Sequence, residues 1–214
     1  MFTAGTAKAV MTGADISVHA DLDSLLKFPG LIALGPLENL RGEITTLDGN
    51  LFVTTVEDGD IVTYENSGAR APFLAYAYVE EWERILVSVD LDRSESIEAL
   101  IDSIAQARGF DADTPFPFVL NAYWNELEYH VIMRDTTEES HSHEAHRRAK
   151  VNFSETDVSA DLVGFFSRRH EGVFTHKGQF VHIHILTSDR KRSGHLDSLR
   201  HRGEIVVSLP RLKD

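Results

Sequence analysis

The sequence contains no cysteine among its 214 residues. Disulfides, thiolate metal sites and cysteine nucleophiles are therefore excluded, and any metal site must use histidine, carboxylate or water ligands. An excess of basic residues is also missing, since 21 Lys and Arg stand against 34 Asp and Glu, for a net charge of −13. This acidity argues against a nucleic acid or an anionic membrane surface as a partner.

Long hydrophobic runs are absent as well. No stretch approaches the roughly 20 apolar residues of a membrane span, and the N-terminal MFTAGTAKAVMTGADI has no apolar core of signal-peptide length. We therefore expect a cytoplasmic protein without membrane contact. The 42% content of hydrophobic residues is typical of a globular chain that buries a sizeable core.

Strand signals dominate what is present. GEITTLD, LFVTTVE and DIVTYE are separated by Asp48-Gly49 and Asp58-Gly59, which favour tight hairpin turns. PFPFVLNAYW and LEYHVIMRD are predicted as two strands joined by a tight turn at Asn125 and Glu126. Further strands are predicted in FLAYAYV, RILVSVDL, DLVGFFSRR, QFVHIHIL, HLDSL and EIVVSLPRL.

One helix is predicted over residues 93–108, between a cap at Asp92 and Gly109, because Ile97, Leu100, Ile101 and Ile104 recur at helical spacing. The predicted class is α+β (mixed α/β), with two β-sheet lobes of mostly antiparallel strands and this helix packed on the N-terminal sheet. Residues 1–135 are assigned to the N-terminal lobe, 136–155 to a polar loop or linker, and 156–214 to a C-terminal antiparallel lobe.

Three histidines in the C-terminal lobe form the strongest candidate site. In VHIHILTSDRKRSGH, His182 and His184 share one face of a strand, with Cα atoms about 7 Å apart, while Val181, Ile183 and Ile185 face a core. The turn-forming TSDRKRSG lets the chain return and place His195 beside the pair. Three imidazoles with an open fourth position are typical of catalytic zinc, although nickel, cobalt, iron or manganese also accept them. The alternative is a pair of half-exposed strand residues without a ligand.

A second histidine cluster, HSHEAH, contains His141, His143 and His146. It lacks the apolar neighbours that hold a site rigid, so a solvated loop is the favoured interpretation and a metal role the alternative.

Three segments together resemble the alpha-acetolactate decarboxylase family: GEITTLDG at residues 42–49, MRDT at 133–136, and VHIHILTSDRKRSGH preceded by DLVGFFS. Their order and spacing are similar to the family pattern over about residues 8–210. The resemblance implies a two-lobed α/β homodimer that decarboxylates 2-acetolactate, a small anionic hydroxy-keto acid, to acetoin. It also implies a divalent metal, with Zn²⁺ expected, bound by His182, His184 and His195.

The same resemblance implies two catalytic residues, Glu43 near the metal and Arg134 at the end of a strand. Loss of CO₂ leaves two electrons that flow into the ketone oxygen and form an enediolate, which a chelated metal stabilises. Glu43 is the expected proton donor to that carbon, and Arg134 the expected partner of the substrate carboxylate. From the residues alone, an exposed strand glutamate and a surface arginine are the alternatives.

The sequence departs from the family pattern at several positions. Pro36 replaces a common threonine, and Val181 and Ile185 stand at aromatic positions. The family usually continues beyond the position of Asp214 with a second metal-site glutamate. Either that acid is absent, or Glu204 or another carboxylate replaces it, or the reaction differs. The alternatives are a related metal-dependent lyase or isomerase on another hydroxy-keto acid, a non-catalytic metal- or ligand-binding homologue, and a structural protein without metal.

Overall fold

Two antiparallel sheets make up most of the molecule, which confirms the predicted α+β class. The structure, a computed structural model, describes residues 1–65, 68–92, 94–137, 143–175 and 178–212.

The first sheet has six strands, and its hairpins form where the turn signals predict them. Asp48 and Gly49, and then Asp58 and Gly59, take positive φ in the two-residue loops that join consecutive strands. In spatial order the strands are β1 (Phe2–Ala4), β8 (Leu74–Tyr78), β3 (Leu31–Pro36), β4 (Glu43–Leu47), β5 (Asn50–Glu57) and β6 (Asp60–Glu65), and β2 (Ala20–Asp21) and β7 (Arg70–Ala71) form a separate pair.

The second sheet is built from five longer strands. In spatial order they are β10 (Phe116–Ile132), β11 (Lys150–Phe166), β12 (Val181–Thr187), β13 (Ser193–Pro210) and β9 (Trp82–Leu91). The predicted turn at Asn125 and Glu126 is wrong, since β10 runs through both residues. β10 pairs with β11 on one side and β13 on the other, and only its register with β13 shifts near this point. Pairing on both sides overrides the local turn signal.

Sheet membership also differs from the expected lobes. β9 and β10 belong to the second sheet, although they fall within the residues assigned to the N-terminal lobe. β11 begins at Lys150, inside the predicted polar linker, because residues 150–155 pair with β10. The rest of that linker includes a short helix, α4 (His143–Arg148), while residues 138–142 lie outside the described part.

Three further helices are α1 (Ala7–Thr12), α2 (Leu22–Leu25) and α3 (Ser94–Ala107). α3 is the helix predicted over residues 93–108, but it packs on the second sheet, not on the N-terminal one. Its Ile97, Ile101 and Ala105 are buried in one core with Ile183 and Ile205 of that sheet. The reason is connectivity, since β9 leads directly into α3. Among the described residues, no helix has the length and hydrophobicity to cross a bilayer.

The two faces of the second sheet have different partners. Val181, Ile183 and Ile185 face the core that contains α3, as predicted. On the opposite face, Val163 and Phe165 join a core that includes residues of the first sheet. Because side chains alternate along a strand, His182 and His184 lie between the two sheets.

Candidate metal centre

The three histidines of the C-terminal motif converge in the folded chain. His182 and His184 lie on β12, and His195 on β13 is the register partner of His184. One ring nitrogen from each residue lies within 4.8 Å of the other two. The predicted return of the chain, which places His195 beside the pair, is therefore confirmed.

These imidazoles are largely removed from water. His184 is fully buried and His182 nearly so. Burial lowers the pKa of His184 well below its ordinary value, and the neighbouring His182 and His130 lower it further. A neutral imidazole keeps the lone pair that a metal ion requires.

A chain of hydrogen bonds fixes the orientation of His184. The Ser193 hydroxyl donates to the Ile185 carbonyl at 2.6 Å. Its oxygen can therefore accept from Thr45 Oγ1 at 2.8 Å, and Thr45 in turn accepts from Nδ1–H of His184 at 2.9 Å. This assignment leaves the lone pair on Nε2 of His184, which is buried without a hydrogen-bond partner among the described residues. The donor set thus fits a divalent metal with nitrogen affinity.

Glu43 lies beside the three histidines. It is buried, its Oε2 is 3.7 Å from Nε2 of His184, and its Oε1 accepts a 3.2 Å hydrogen bond from the backbone N–H of Ile132. Burial raises the pKa of Glu43 from 4.5 to about 8, against the smaller opposing effects of the Ile132 bond and the Lys150 charge. In the absence of a bound cation the carboxyl is therefore protonated at neutral pH.

A cavity opens next to these groups. Phe73 stacks on His182 with the ring centroids 6.0 Å apart, and Pro36 of β3 contributes to the same apolar wall. The lining is mostly apolar, with these polar members: Glu43, His130, His146, Lys150, Thr175, His182 and His195.

Two of these polar residues, His130 and Lys150, went unnoticed in the sequence. His130 on β10 is the register partner of His195, and their ring centroids are 4.9 Å apart. Burial lowers the pKa of His130, although its Nδ1 lies 2.7 Å from Oδ2 of Asp197. No motif marks either residue, because the pairing of β10 with β13 and β11 brings them to the site.

Arg134 is placed differently from the other predicted site residues. It follows the end of β10, is half-buried, and donates its backbone N–H to the Leu40 carbonyl at 2.8 Å. Among the described residues, it is not one of those that line the cavity. Its catalytic role stays a prediction.

Glu204 does not replace the missing family glutamate. It is exposed and pairs with Ser88 of β9, nine residues along β13 from His195. At roughly 3.3 Å per residue, that separation is about 30 Å, so this expectation is wrong.

The HSHEAH segment is only partly described. His146 lies on α4 and lines the cavity, whereas His141 lies outside the described residues and only the backbone of His143 is described. The solvated-loop prediction for the whole segment therefore stays a prediction.

The sequence model of the family described as "Alpha-acetolactate decarboxylase" matches residues 1–213. The chain belongs to the alpha-acetolactate decarboxylase family. No curated protein matches it. As a member of this family the protein is an enzyme of the carboxy-lyase class.

Solved structures agree in fold. Acetolactate decarboxylase from Bacillus subtilis subspecies spizizenii is 16% identical, with a TM-score of 0.77 over 98% of this chain and 85% of that one. The enzyme from Bacillus subtilis strain 168 is 16% identical, with a TM-score of 0.76 and the same coverage. A Staphylococcus aureus protein of unknown function, described as similar to alpha-acetolactate decarboxylase, is 15% identical, with a TM-score of 0.73 over 98% and 84% of the two chains. At these identities the likeness concerns the fold alone.

Proposed function

We propose that this family member converts 2-acetolactate to acetoin and CO₂ with a divalent metal bound by His182, His184 and His195. One observation carries the proposal: three buried or half-buried imidazoles converge within 4.8 Å beside a buried carboxyl group. The cytoplasmic location and the homodimer belong to the same proposal and rest on the family resemblance.

The metal would be held by three imidazole nitrogens, and we propose Zn²⁺ because it favours such ligands. When bound, the ion supplies Lewis-acid stabilisation for the substrate oxygens on which negative charge develops. Thr45 contributes by holding the ring of His184 in one tautomer. A hydrogen-bonded second layer of this kind is common around metal-binding histidines.

Glu43 is the proposed proton donor. Loss of CO₂ breaks the bond between the carboxylate carbon and the carbon that bears the hydroxyl, and the electron pair moves into the adjacent ketone. The carboxyl proton of Glu43 then moves to that carbon, and water restores it. Burial supports this role because it keeps Glu43 protonated at neutral pH. The net reaction consumes one proton and releases acetoin and CO₂.

Arg134 is proposed, from the family resemblance alone, to contact the substrate carboxylate. Its position just after β10 brings its backbone close to Ile132, which bonds Glu43.

The test is acetoin formation from racemic 2-acetolactate by zinc-loaded protein, compared with His182→Ala. We expect the native protein to produce acetoin well above the spontaneous rate, and the variant to lose zinc and activity together. Fully loaded protein without activity would contradict the proposal.

A further inference from the structure

Lys150 is the cation of the cavity. Among the described residues that line it, Lys150 is the only lysine or arginine. It begins β11 and pairs in register with Ile132, whose N–H bonds Glu43. Its side chain is 27% exposed, so its ammonium group is only partly hydrated.

One carboxylate positions Lys150 together with His130. Asp197 Oδ1 lies 3.2 Å from Lys150 Nζ, and Asp197 Oδ2 lies 2.7 Å from Nδ1 of His130. Asp197 is not among the described residues that line the cavity, so it supports both side chains from behind. An ammonium group has three N–H donors, and the bond to Asp197 uses one of them.

The remaining groups leave the substrate anion with few partners. The cavity wall is mostly apolar, and Glu43 offers no positive charge. Arg134 is not among the lining residues described. A carboxylate entering this space needs a positive partner to offset its loss of hydration.

We propose that Lys150 binds the carboxylate of the substrate and that Asp197 positions it, an inference that rests on the proposed function. The reaction converts that carboxylate to neutral CO₂, so a strong grip on the ground state would slow the step. Lysine is a single point charge, unlike the two-pronged arginine fork, and Asp197 already shares it. This arrangement orients the anion and still allows release.

The test uses two probes that cannot lose CO₂ by this route: 2-hydroxy-2-methylpropanoate and its neutral amide. Their affinities for zinc-loaded protein are measured by calorimetry. We expect Lys150→Met to weaken the anion by about 10-fold or more and to change the amide by less than about twofold. Lys27→Met, which removes an exposed lysine outside the cavity, is the matched control and should change neither.

Two more variants keep the test decisive. Lys150→Gln removes the charge but can still bond Asp197, and it replaces Lys150→Met if that variant fails to fold. Lys150→Arg should retain most of the preference for the anion. The proposal is overturned if the native protein does not discriminate between the probes, if charge-free variants at position 150 keep the preference, or if Arg134→Met alone removes it.

Because neither probe turns over, the result is independent of acetoin formation. Loss of anion binding in Lys150→Met without acetoin in the native protein would remove the proposed function and leave the anion site intact. Acetoin formation with unchanged anion binding in Lys150→Met would do the opposite.

Discussion

Thr45 of the first sheet and His184 of the second are joined by a hydrogen bond of 2.9 Å between Oγ1 and Nδ1. Both side chains are fully buried, and Ser193 joins the same network. The orientation of His184 is therefore set by a strand almost 140 residues away in sequence. The candidate metal centre belongs to the interface between the sheets, not to the β12–β13 hairpin alone.

Replacing Thr45 with valine removes this bond while keeping the shape of the side chain. We expect zinc affinity to fall by about 10- to 100-fold. Thr45→Ser keeps the hydroxyl and should stay within a few-fold of the native protein. Competition with a coloured chelator measures both affinities. Equal affinities for the valine and serine variants would show that the bond does not orient His184 for metal.

Removal of one imidazole tests the site itself. We expect His184→Ala to bind less than one tenth of the zinc bound by the native protein under matched conditions, because two remaining histidines make a weaker site. The control is His19→Ala, which removes an exposed histidine paired with Asp15. Elemental analysis after gel filtration gives the stoichiometry. Undiminished zinc in His184→Ala would place the metal elsewhere.

Glu43→Gln separates metal binding from proton transfer. Glutamine has nearly the same size but cannot donate the required proton, so we expect retained zinc and a loss of kcat by about 10²- to 10⁴-fold. Glu57→Gln, at the exposed end of β5, should have native kcat. Native turnover in Glu43→Gln would remove Glu43 from the mechanism.

The raised pKa of Glu43 also predicts how stability depends on pH in metal-free protein. The folded state holds the proton up to about pH 8, whereas the unfolded chain releases it near pH 4.5. Stability from this group is therefore fully present below pH 4.5 and is lost as pH rises to about 8. At about 1.4 kcal/mol per pKa unit, the loss is several kcal/mol.

Urea unfolding of chelator-treated protein at pH 5 and pH 8.5 measures this effect against Glu43→Gln, which cannot ionise. We expect the native protein to lose stability relative to the variant as pH rises. Bound zinc should reduce the difference, because a nearby cation favours the ionised carboxylate. A difference that is constant with pH would contradict the raised pKa.

Local patterns explain how much could be read from the sequence. The alternation in VHIHI predicts the shared face of His182 and His184, and the turn residues before Gly194 predict the return of His195. The Asp-Gly turns of the first sheet have the same local origin. These features depend on neighbours within about 15 residues.

The remaining parts of the site depend on distant pairing. His130 and Lys150 reach the cavity because β10 pairs with both β13 and β11. The same two-sided pairing keeps β10 continuous through Asn125 and Glu126. Such pairing has no local signature, so the sequence predicted the three histidines but not the residues that surround them.

The most direct test of the account is a single preparation in which bound zinc and acetoin formation are both determined. We predict about one zinc per chain and acetoin production from 2-acetolactate well above the spontaneous rate, with both lost in His184→Ala. Native protein that carries a full complement of zinc and forms acetoin no faster than the uncatalysed reaction would contradict it.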